Sequence, residues 1–230
     1  MALLGQGALV IWHDVQDEID YNEWHSKEHM LERVAVSGFR RGLRYVALAG
    51  VPKYLNLYEV DEVATLTSQP YLDRLNDPTP WTRRALPTMR NNSRTLCRVT
   101  ASRGSAGVCG FLLTMQLAPQ RAEADALRGW LLGAVLPHLV ERPGIIGAHL
   151  LEGDEAASRT GTEEKRLRGA ADAIADWIVL VGGYRSEAIQ AARDDMLADE
   201  QLVAHGAAAA PTVGLYQLMH AITEPDLARS

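Results

Sequence analysis

Three histidines stand close together near the start of the chain, and their type suits proton-transfer chemistry. His13 ends an apolar run, and His25 and His29 lie four positions apart, with Tyr21 shortly before them. Imidazole titrates at about pH 6.5, so small changes in its surroundings make it a base or an acid at neutral pH. We therefore predict catalytic roles for His25, His29, His13 and Tyr21.

Helical spacing places two of these histidines on one polar stripe beside an apolar one that contains Trp24. The polar stripe carries Tyr21, His25, Glu28, His29 and Glu32. Asp20 is the predicted N-cap of this helix, and Gly38 is the predicted stop. Because residues of a polar stripe contribute little to a core, replacing His25 or His29 by Ala should leave the fold intact. The alternative is an exposed helix face without chemistry.

A metal site is a second interpretation of the same segment. His25-Ser-Lys-Glu-His29 matches the pattern H-x-x-E-H, in which histidines at positions i and i+4 share a metal. His13 would then be the third ligand. We predict no cofactor as the main interpretation, with a divalent metal on His13, His25 and His29 as the alternative. Haem is not expected, because nothing around the histidines of the second half resembles a haem pocket.

The chain also contains an internal repeat. An offset of 106 positions aligns Gly38 with Gly144 and Trp24 with Trp130, and an offset of 123 aligns 54–60 with 177–183. The difference corresponds to an insertion in the second copy within 152–176. The repeat predicts two units, 1–103 carrying the site and 107–230 serving as a scaffold.

Each unit shows the element order βαββαβ, which is typical of a ferredoxin-like fold. The predicted strands are 8–15, 39–48, 54–60 and 94–100, then 109–117, 145–152, 177–181 and 213–222. The predicted helices are 21–36, 68–75 and 81–91, then 122–140 and 186–197. A ferredoxin-like sheet has one bare face, and two tandem units can bury these faces against each other. We therefore predict an α+β class and a pseudo-symmetric α+β barrel within one chain.

The three histidines of the first unit have no counterparts at the aligned positions of the second. Leu131, Ala134 and Val135 stand where the first unit has His25, Glu28 and His29, although Trp130 keeps the tryptophan. This asymmetry assigns the site to the first unit. A tryptophan beside arginines can hold a carboxylate or an aromatic ring. The predicted substrate-binding residues are Trp24, Glu28, Tyr58, Trp81 and Arg83.

Composition and charge narrow the functional classes. The 230 residues are 47% hydrophobic and 23% charged, with a formal net charge of −6. An acidic chain argues against nucleic acid and anionic membranes as partners. Two cysteines exclude a disulfide framework, and neither a secretory leader nor a long apolar run is apparent. We expect a cytoplasmic protein with a small-molecule substrate that also associates as a homo-oligomer.

The first unit resembles the dimeric α+β barrel superfamily, and within it the EthD-like proteins. The matching residues are Trp24, His25, Glu28, His29, Glu32, Arg33, Gly38, Phe39 and 41–45, with 52–59 and 77–84 adding to them. The resemblance implies a small-molecule pocket between helices and sheet. The superfamily includes cofactor-free monooxygenases, isomerases, cyclases and haem enzymes, so membership alone does not define the reaction.

Together these observations predict a cofactor-independent enzyme that acts on a small aromatic or carbonyl metabolite by histidine-mediated proton transfer. Lyase, isomerase and cyclase reactions need only such proton-transfer groups. The same holds for a cofactor-free oxygenase whose substrate supplies the electrons. A non-catalytic small-molecule-binding or stress protein is the alternative. A pocket with convergent His and Tyr would favour the enzyme, and a dry apolar cavity with solvated histidines would favour the binding protein.

Overall fold

Eight antiparallel strands close into one barrel in the computed structural model, which describes residues 3–105 and 107–227. The strands are β1 (Gly7–Val15), β2 (Phe39–Ala49), β3 (Tyr54–Val60), β4 (Met89–Gly104), β5 (Phe111–Leu117), β6 (Ile145–Gly153), β7 (Trp177–Gly183) and β8 (Thr212–Thr223). The mixed α+β architecture agrees with the class predicted from the sequence.

The order of strands around the barrel is β1-β3-β2-β8-β5-β7-β6-β4. The first four strands are therefore arranged β4-β1-β3-β2, and the last four β8-β5-β7-β6. Two seams join these halves, β2 with β8 and β4 with β6. Both seams are antiparallel, so the closed barrel leaves neither half with a free sheet edge.

Helices cover the outside of the barrel. The first, α1, consists of Glu18–Trp24, a π-helical turn His25–His29, and Met30–Val34. It is followed by α2 (Gln69–Asn76) and α3 (Pro80–Ala85), with 3₁₀ turns at Val63–Thr67 and Leu86–Thr88. In the second half, α4 consists of Ala124–Trp130, a π-helical turn Leu131–Val135, and Leu136–Glu141. The remaining helices are α5 (Glu155–Ser158), α6 (Glu163–Arg168), α7 (Ser186–Asp194), α8 (Asp199–Ala204) and α9 (Glu224–Leu227).

The alternation in β3 separates the barrel interior from the helical layer. Leu55 and Leu57 belong to an interior apolar cluster that also includes Trp12, Leu112 and Leu180. The intervening side chains point outward, since successive residues of a strand face opposite sides. The side chains of Tyr54, Asn56 and Tyr58 therefore face α1.

Two local predictions are wrong for identifiable reasons. Helix α1 begins at Glu18, and its N-cap is Asp17, whose carboxylate accepts a hydrogen bond from the Asp20 backbone N–H at 3.0 Å. The predicted helix 81–91 is α-helical as far as Ala85. A 3₁₀ turn follows and leads into β4. Pro87 lies in that turn and has no N–H to continue the helix.

The segment 152–176 contains α5 and α6 and lies against the helices of the first half. The side chain of Thr162 caps α6, and the Glu163 N–H donates to the Asn76 side chain of α2 at 3.0 Å. This contact brings α6 over the outer layer of the first half. Across the described ranges, none of the helices has both the length and the apolar character needed to cross a membrane.

Candidate functional site

A narrow cavity lies between α1 and the outer face of the first-half strands. Its apolar wall consists of Leu9, Ile11, Trp24, Leu75, Leu86 and Met89. Its polar wall consists of Tyr21, His25, His29, Arg33, Asn56, Tyr58, Tyr71, Arg94, Glu164 and Arg168.

The π-helical turn of α1 arranges the polar side of this cavity. The Met30 N–H bonds to the His25 carbonyl, five residues earlier, instead of the usual four. Four residues at intervals of four, Tyr21, His25, His29 and Arg33, all reach the cavity wall. Single π turns inside α-helices occur frequently at functional sites.

Tyr21, His13 and Asn56 form a hydrogen-bonded cluster at one part of the cavity. The Tyr21 hydroxyl lies 3.0 Å from His13 Nε2, and Asn56 Nδ2 lies 3.1 Å from the same nitrogen. Asn56 Nδ2 also donates to the Tyr21 hydroxyl at 3.2 Å. His13 is fully buried behind the wall, whereas Tyr21 and Asn56 belong to the wall. Tyr21 therefore connects the cavity wall to the imidazole behind it.

His25 is held between a guanidinium and a phenol. Arg44 Nη1 lies 3.3 Å from its Nδ1, and the Tyr58 hydroxyl lies 3.3 Å from its Nε2. Because an arginine can only donate, Nδ1 accepts, and the proton of a neutral His25 sits on Nε2. Arg44 also donates to the Asn22 carbonyl and to Ser26 Oγ, and no carboxylate within the described ranges pairs with it.

His29 has the same tautomer for the same reason. Arg33 Nη2 lies 3.4 Å from His29 Nδ1, which leaves the proton on Nε2. Among the described residues, none forms a hydrogen bond with this Nε2. His29 therefore offers an N–H donor to a molecule in the cavity.

Burial sets the protonation of these groups. Loss of hydration lowers the pKa of His13 to about 3. It also lowers the pKa values of His25 and His29 well below the usual range, with Arg44 and Arg33 adding to the respective effects. The pKa of Tyr21 is raised by the same loss of hydration. At neutral pH the cavity therefore holds neutral imidazoles and a protonated phenol.

The segment 152–176 closes the cavity from outside. Glu164 of α6 forms a buried ion pair with Arg33 of α1. Arg168 of α6, also in the wall, pairs with Asp172 at 2.8 Å. The site of the first half is thus completed by residues that lie more than a hundred positions later.

The structure brings five of the predicted site residues into one cavity wall and places a sixth directly behind it. The five are Tyr21, Trp24, His25, His29 and Tyr58, and the sixth is His13. Their chemical roles stay predictions. Both helical histidines are buried, with exposed fractions of 2% and 9%, so the premise that these residues contribute little to the packed interior is wrong. Removal of either would leave an arginine contact unmade.

Three other predicted binding residues lie away from this wall. Glu28 accepts hydrogen bonds from Thr79 and Thr82 on the outer side of α1. The Trp81 indole donates to Asp20 at 2.9 Å. Arg83 is exposed and lies 3.4 Å from a carboxylate oxygen of Glu163. Their contacts tie α1, α3 and α6 to one another.

Several residues in the wall, and Arg44 beside it, are not among those predicted from the sequence. Arg33 stands four positions after His29, so the helical spacing contained the signal. Asn56 and Arg44 are cross-strand partners in the β2–β3 register, which a single sequence does not reveal. Arg94 and Glu164 come from distant segments, and no local pattern marks them. In residues 3–105 and 107–227, no three His, Cys, Asp or Glu side chains are grouped as metal ligands would be.

Comparisons with known proteins identify the fold. The solved structure of an anthrone oxidase-like protein matches with a TM-score of 0.63 and 13% identity, over 97% of this chain and 96% of that one. A proposed monooxygenase from Fusobacterium nucleatum matches with a TM-score of 0.59 and 9% identity, over 96% of each chain. A ferredoxin-fold protein from Listeria monocytogenes, described as related to antibiotic biosynthesis monooxygenases, matches with a TM-score of 0.53 and 10% identity, over 95% and 97%.

These likenesses place the chain among ferredoxin-like α+β proteins. At such identities they concern the fold alone. No family model matches the sequence, and a search of curated proteins gives no match either. The predicted ferredoxin-like architecture is therefore confirmed, and the EthD-like subgroup is not.

Proposed function

We propose that the chain is a cofactor-independent enzyme that removes a proton from a small aromatic or carbonyl compound. The observation that carries the proposal is that Tyr21 belongs to the cavity wall and that its hydroxyl lies 3.0 Å from the buried His13 imidazole. A phenol in this position can accept a proton from a ligand while it passes its own proton to the imidazole. Proton transfer by a positioned group typically contributes about 10²–10⁴-fold to a rate.

The other wall residues fit the charge that this step creates. As the proton leaves, negative charge develops on the substrate oxygen. The Nε2–H of His29 can donate to that oxygen, and the guanidinium of Arg33 lies directly behind the ring. Donors that are fixed before the reaction stabilise such charge without reorganisation. Because Arg33 occupies the Nδ1 of His29, its Nε2–H is free to donate, and we assign His29 the role of donor rather than base.

We propose oxygenation as the fate of the resulting carbanion. A carbanion conjugated with an aromatic ring can pass an electron to dioxygen and combine with the superoxide formed, which makes a C–O bond. The peroxide takes back the proton that the substrate lost and then eliminates water, so a CH₂ group and one O₂ give a carbonyl group and one H₂O without a protein-bound electron carrier. The fold neighbours named as an anthrone oxidase-like protein and as monooxygenases support this choice over isomerisation. A non-catalytic binding protein is less well supported, because histidine and tyrosine groups converge on the cavity rather than on solvent.

We also propose that the two halves are copies, with the site in residues 1–103 and a scaffold in 107–230. Their π-helical turns, His25–His29 and Leu131–Val135, are separated by the same 106 positions as the aligned tryptophans. Gly38 and Gly144, at the same offset, both have positive φ. We further propose that the chain belongs to the EthD-like subgroup, is cytoplasmic and assembles into homo-oligomers.

The test uses anthrone, whose ring CH₂ is acidic, as a probe. Oxygen uptake and exchange of the CH₂ hydrogens with deuterated water are measured for the wild type and for Tyr21→Phe. We expect exchange and uptake in the wild type, and a loss of about 10²-fold or more in the variant. Tyr184→Phe, at an exposed tyrosine, is the matched control. Tight binding of anthrone without exchange would favour the binding protein, and full activity of Tyr21→Phe would refute the proposed role.

A further inference from the structure

Arg94 is a buried guanidinium without a carboxylate partner in the described ranges. It lies on β4 in the cavity wall, is 9% exposed, and its recorded side-chain contact is one hydrogen bond from Nη2 to the Tyr71 hydroxyl at 3.2 Å. An arginine carries five N–H donors in a planar fork. Most of the donors of Arg94 are therefore unused by the protein.

Arg33 contributes a second unused donor to the same wall. Its Nη2 serves His29 and Glu164, but its Nη1 is buried and has no hydrogen-bond partner. A buried donor without a partner costs free energy, so such groups call for an explanation. A ligand atom in the cavity would satisfy this one.

The charges of the wall are not balanced. Three arginines of the wall, Arg33, Arg94 and Arg168, face one carboxylate of the wall, Glu164. Arg168 is neutralised by Asp172, and Arg33 by Glu164. Arg94 is left as the positive charge of the wall without a protein counter-ion in the described ranges.

Tyr21 and Arg33 mark two ends of the cavity. Tyr21 and Arg33 are twelve positions apart on α1, which corresponds to roughly 18 Å along an α-helix. Between them on α1, the wall carries the rings of Trp24, His25 and His29. A ligand that reaches both ends therefore needs an apolar, planar body and one charged end.

The geometry points to an aromatic carboxylate as the ligand class of this cavity, with its carboxylate on Arg94 and the free Nη1 of Arg33. A carboxylate matches the guanidinium fork with two parallel hydrogen bonds and supplies the missing negative charge. The inference rests on the proposed function in so far as the same cavity holds the substrate. It adds that the substrate is an aromatic acid, whose reacting carbon lies toward Tyr21.

The experiment measures binding rather than turnover. The probes are 2-naphthoate and 2-naphthalenemethanol, which share a ring system and differ in charge, and binding to the full chain is measured at pH 7 by calorimetry. We expect the wild type to bind the acid at least tenfold more tightly than the alcohol. Arg94→Gln should lose roughly 10- to 100-fold in affinity for the acid, as the loss of a charge-assisted contact implies, and should keep its affinity for the alcohol. Arg84→Gln, at an exposed arginine, is the control and should bind both probes as the wild type does.

The outcomes separate this inference from the proposed function. Equal affinities for acid and alcohol in the wild type, binding of neither probe, or an acid preference that survives in Arg94→Gln would overturn the inference. Arg94→Lys keeps the charge without the fork, and an intermediate affinity for the acid would support bidentate binding. Tyr21→Phe should keep the acid preference. If it does while the wild type shows no hydrogen exchange on anthrone, the proposed function fails and the ligand class stands.

Discussion

The buried ion pair between Arg33 and Glu164 joins α1 to the segment that covers the cavity, and it allows a quantitative prediction. The side chains of both residues are nearly inaccessible, with exposed fractions of 3% and 4%. Glu164→Gln removes the negative charge but preserves the size of the side chain. The guanidinium of Arg33 then stays buried without a counter-ion.

Breaking a buried pair in this way costs about 3–5 kcal/mol of the free energy of unfolding, because the remaining charge is uncompensated. A glutamine oxygen can still accept one hydrogen bond, so we expect the lower value, about 3 kcal/mol. For a chain of this size that corresponds to a fall in melting temperature of roughly 6–12 °C. Replacing both partners together, Arg33→Met with Glu164→Leu, should recover most of the loss, since no unpaired charge is left.

The assay is urea unfolding followed by tryptophan fluorescence, with thermal unfolding alongside it. Glu155→Gln is the matched control in the same segment, because the pair of Glu155 with Arg159 is exposed at 69% and 68%. An exposed pair contributes less than about 1 kcal/mol. A loss in Glu164→Gln no larger than in Glu155→Gln would show that the two residues are not a buried pair, and the account of the closed cavity would be refuted.

Three further predictions concern protonation, side-chain contacts and backbone. The pKa of His13 is about 3 in the folded chain and about 6.5 in an unfolded one, so the free energy of unfolding decreases as the pH falls below about 6.5. Between pH 7.5 and 5, the free energy measured by urea unfolding should decrease by about 2 kcal/mol less in His13→Gln than in the wild type. His25→Ala should lower the free energy of unfolding by about 1–3 kcal/mol, because Arg44 and Tyr58 lose a partner, and equal stability would contradict the contacts described. Gly38 has a φ of +92° and a Cβ there would meet Thr65 at 2.8 Å, so Gly38→Ala should cost more than about 1 kcal/mol, whereas Gly133→Ala, in open space on α4, should be neutral or stabilising.

Local sequence patterns predicted the elements in which the order of residue types reflects which side chains are buried. The strand Tyr54–Val60 was predicted to the residue, because its side chains alternate between two distinct environments. The N-cap of α1 was misplaced by three positions, from Asp17 to Asp20. Aspartates stand at 14, 17 and 20 before this helix, and side-chain chemistry alone does not choose among them.

Residues of the candidate site were likewise predicted where a local pattern marks them and missed where none does. Tyr21, His25 and His29 were found because helical spacing joins them within one segment. Glu164 was not, because its partner lies 131 positions away and its own surroundings read as an exposed, charged helix. The burial of His25 and His29 was missed for the same reason, because nothing in the sequence of 152–176 shows that this segment packs over them.

The π-helical turns explain why the covering segment is needed on one half alone. In α4 the wide turn is filled by Leu131 and Val135, which are buried among apolar residues and require no partners. In α1 the corresponding positions are His25 and His29, and a buried imidazole needs hydrogen bonds. Arg44 and Arg33 provide them, but each brings a positive charge into the protein interior. Glu164 neutralises Arg33 and comes from the segment 152–176, so the second half supplies the carboxylate that lets the first half keep a polar cavity.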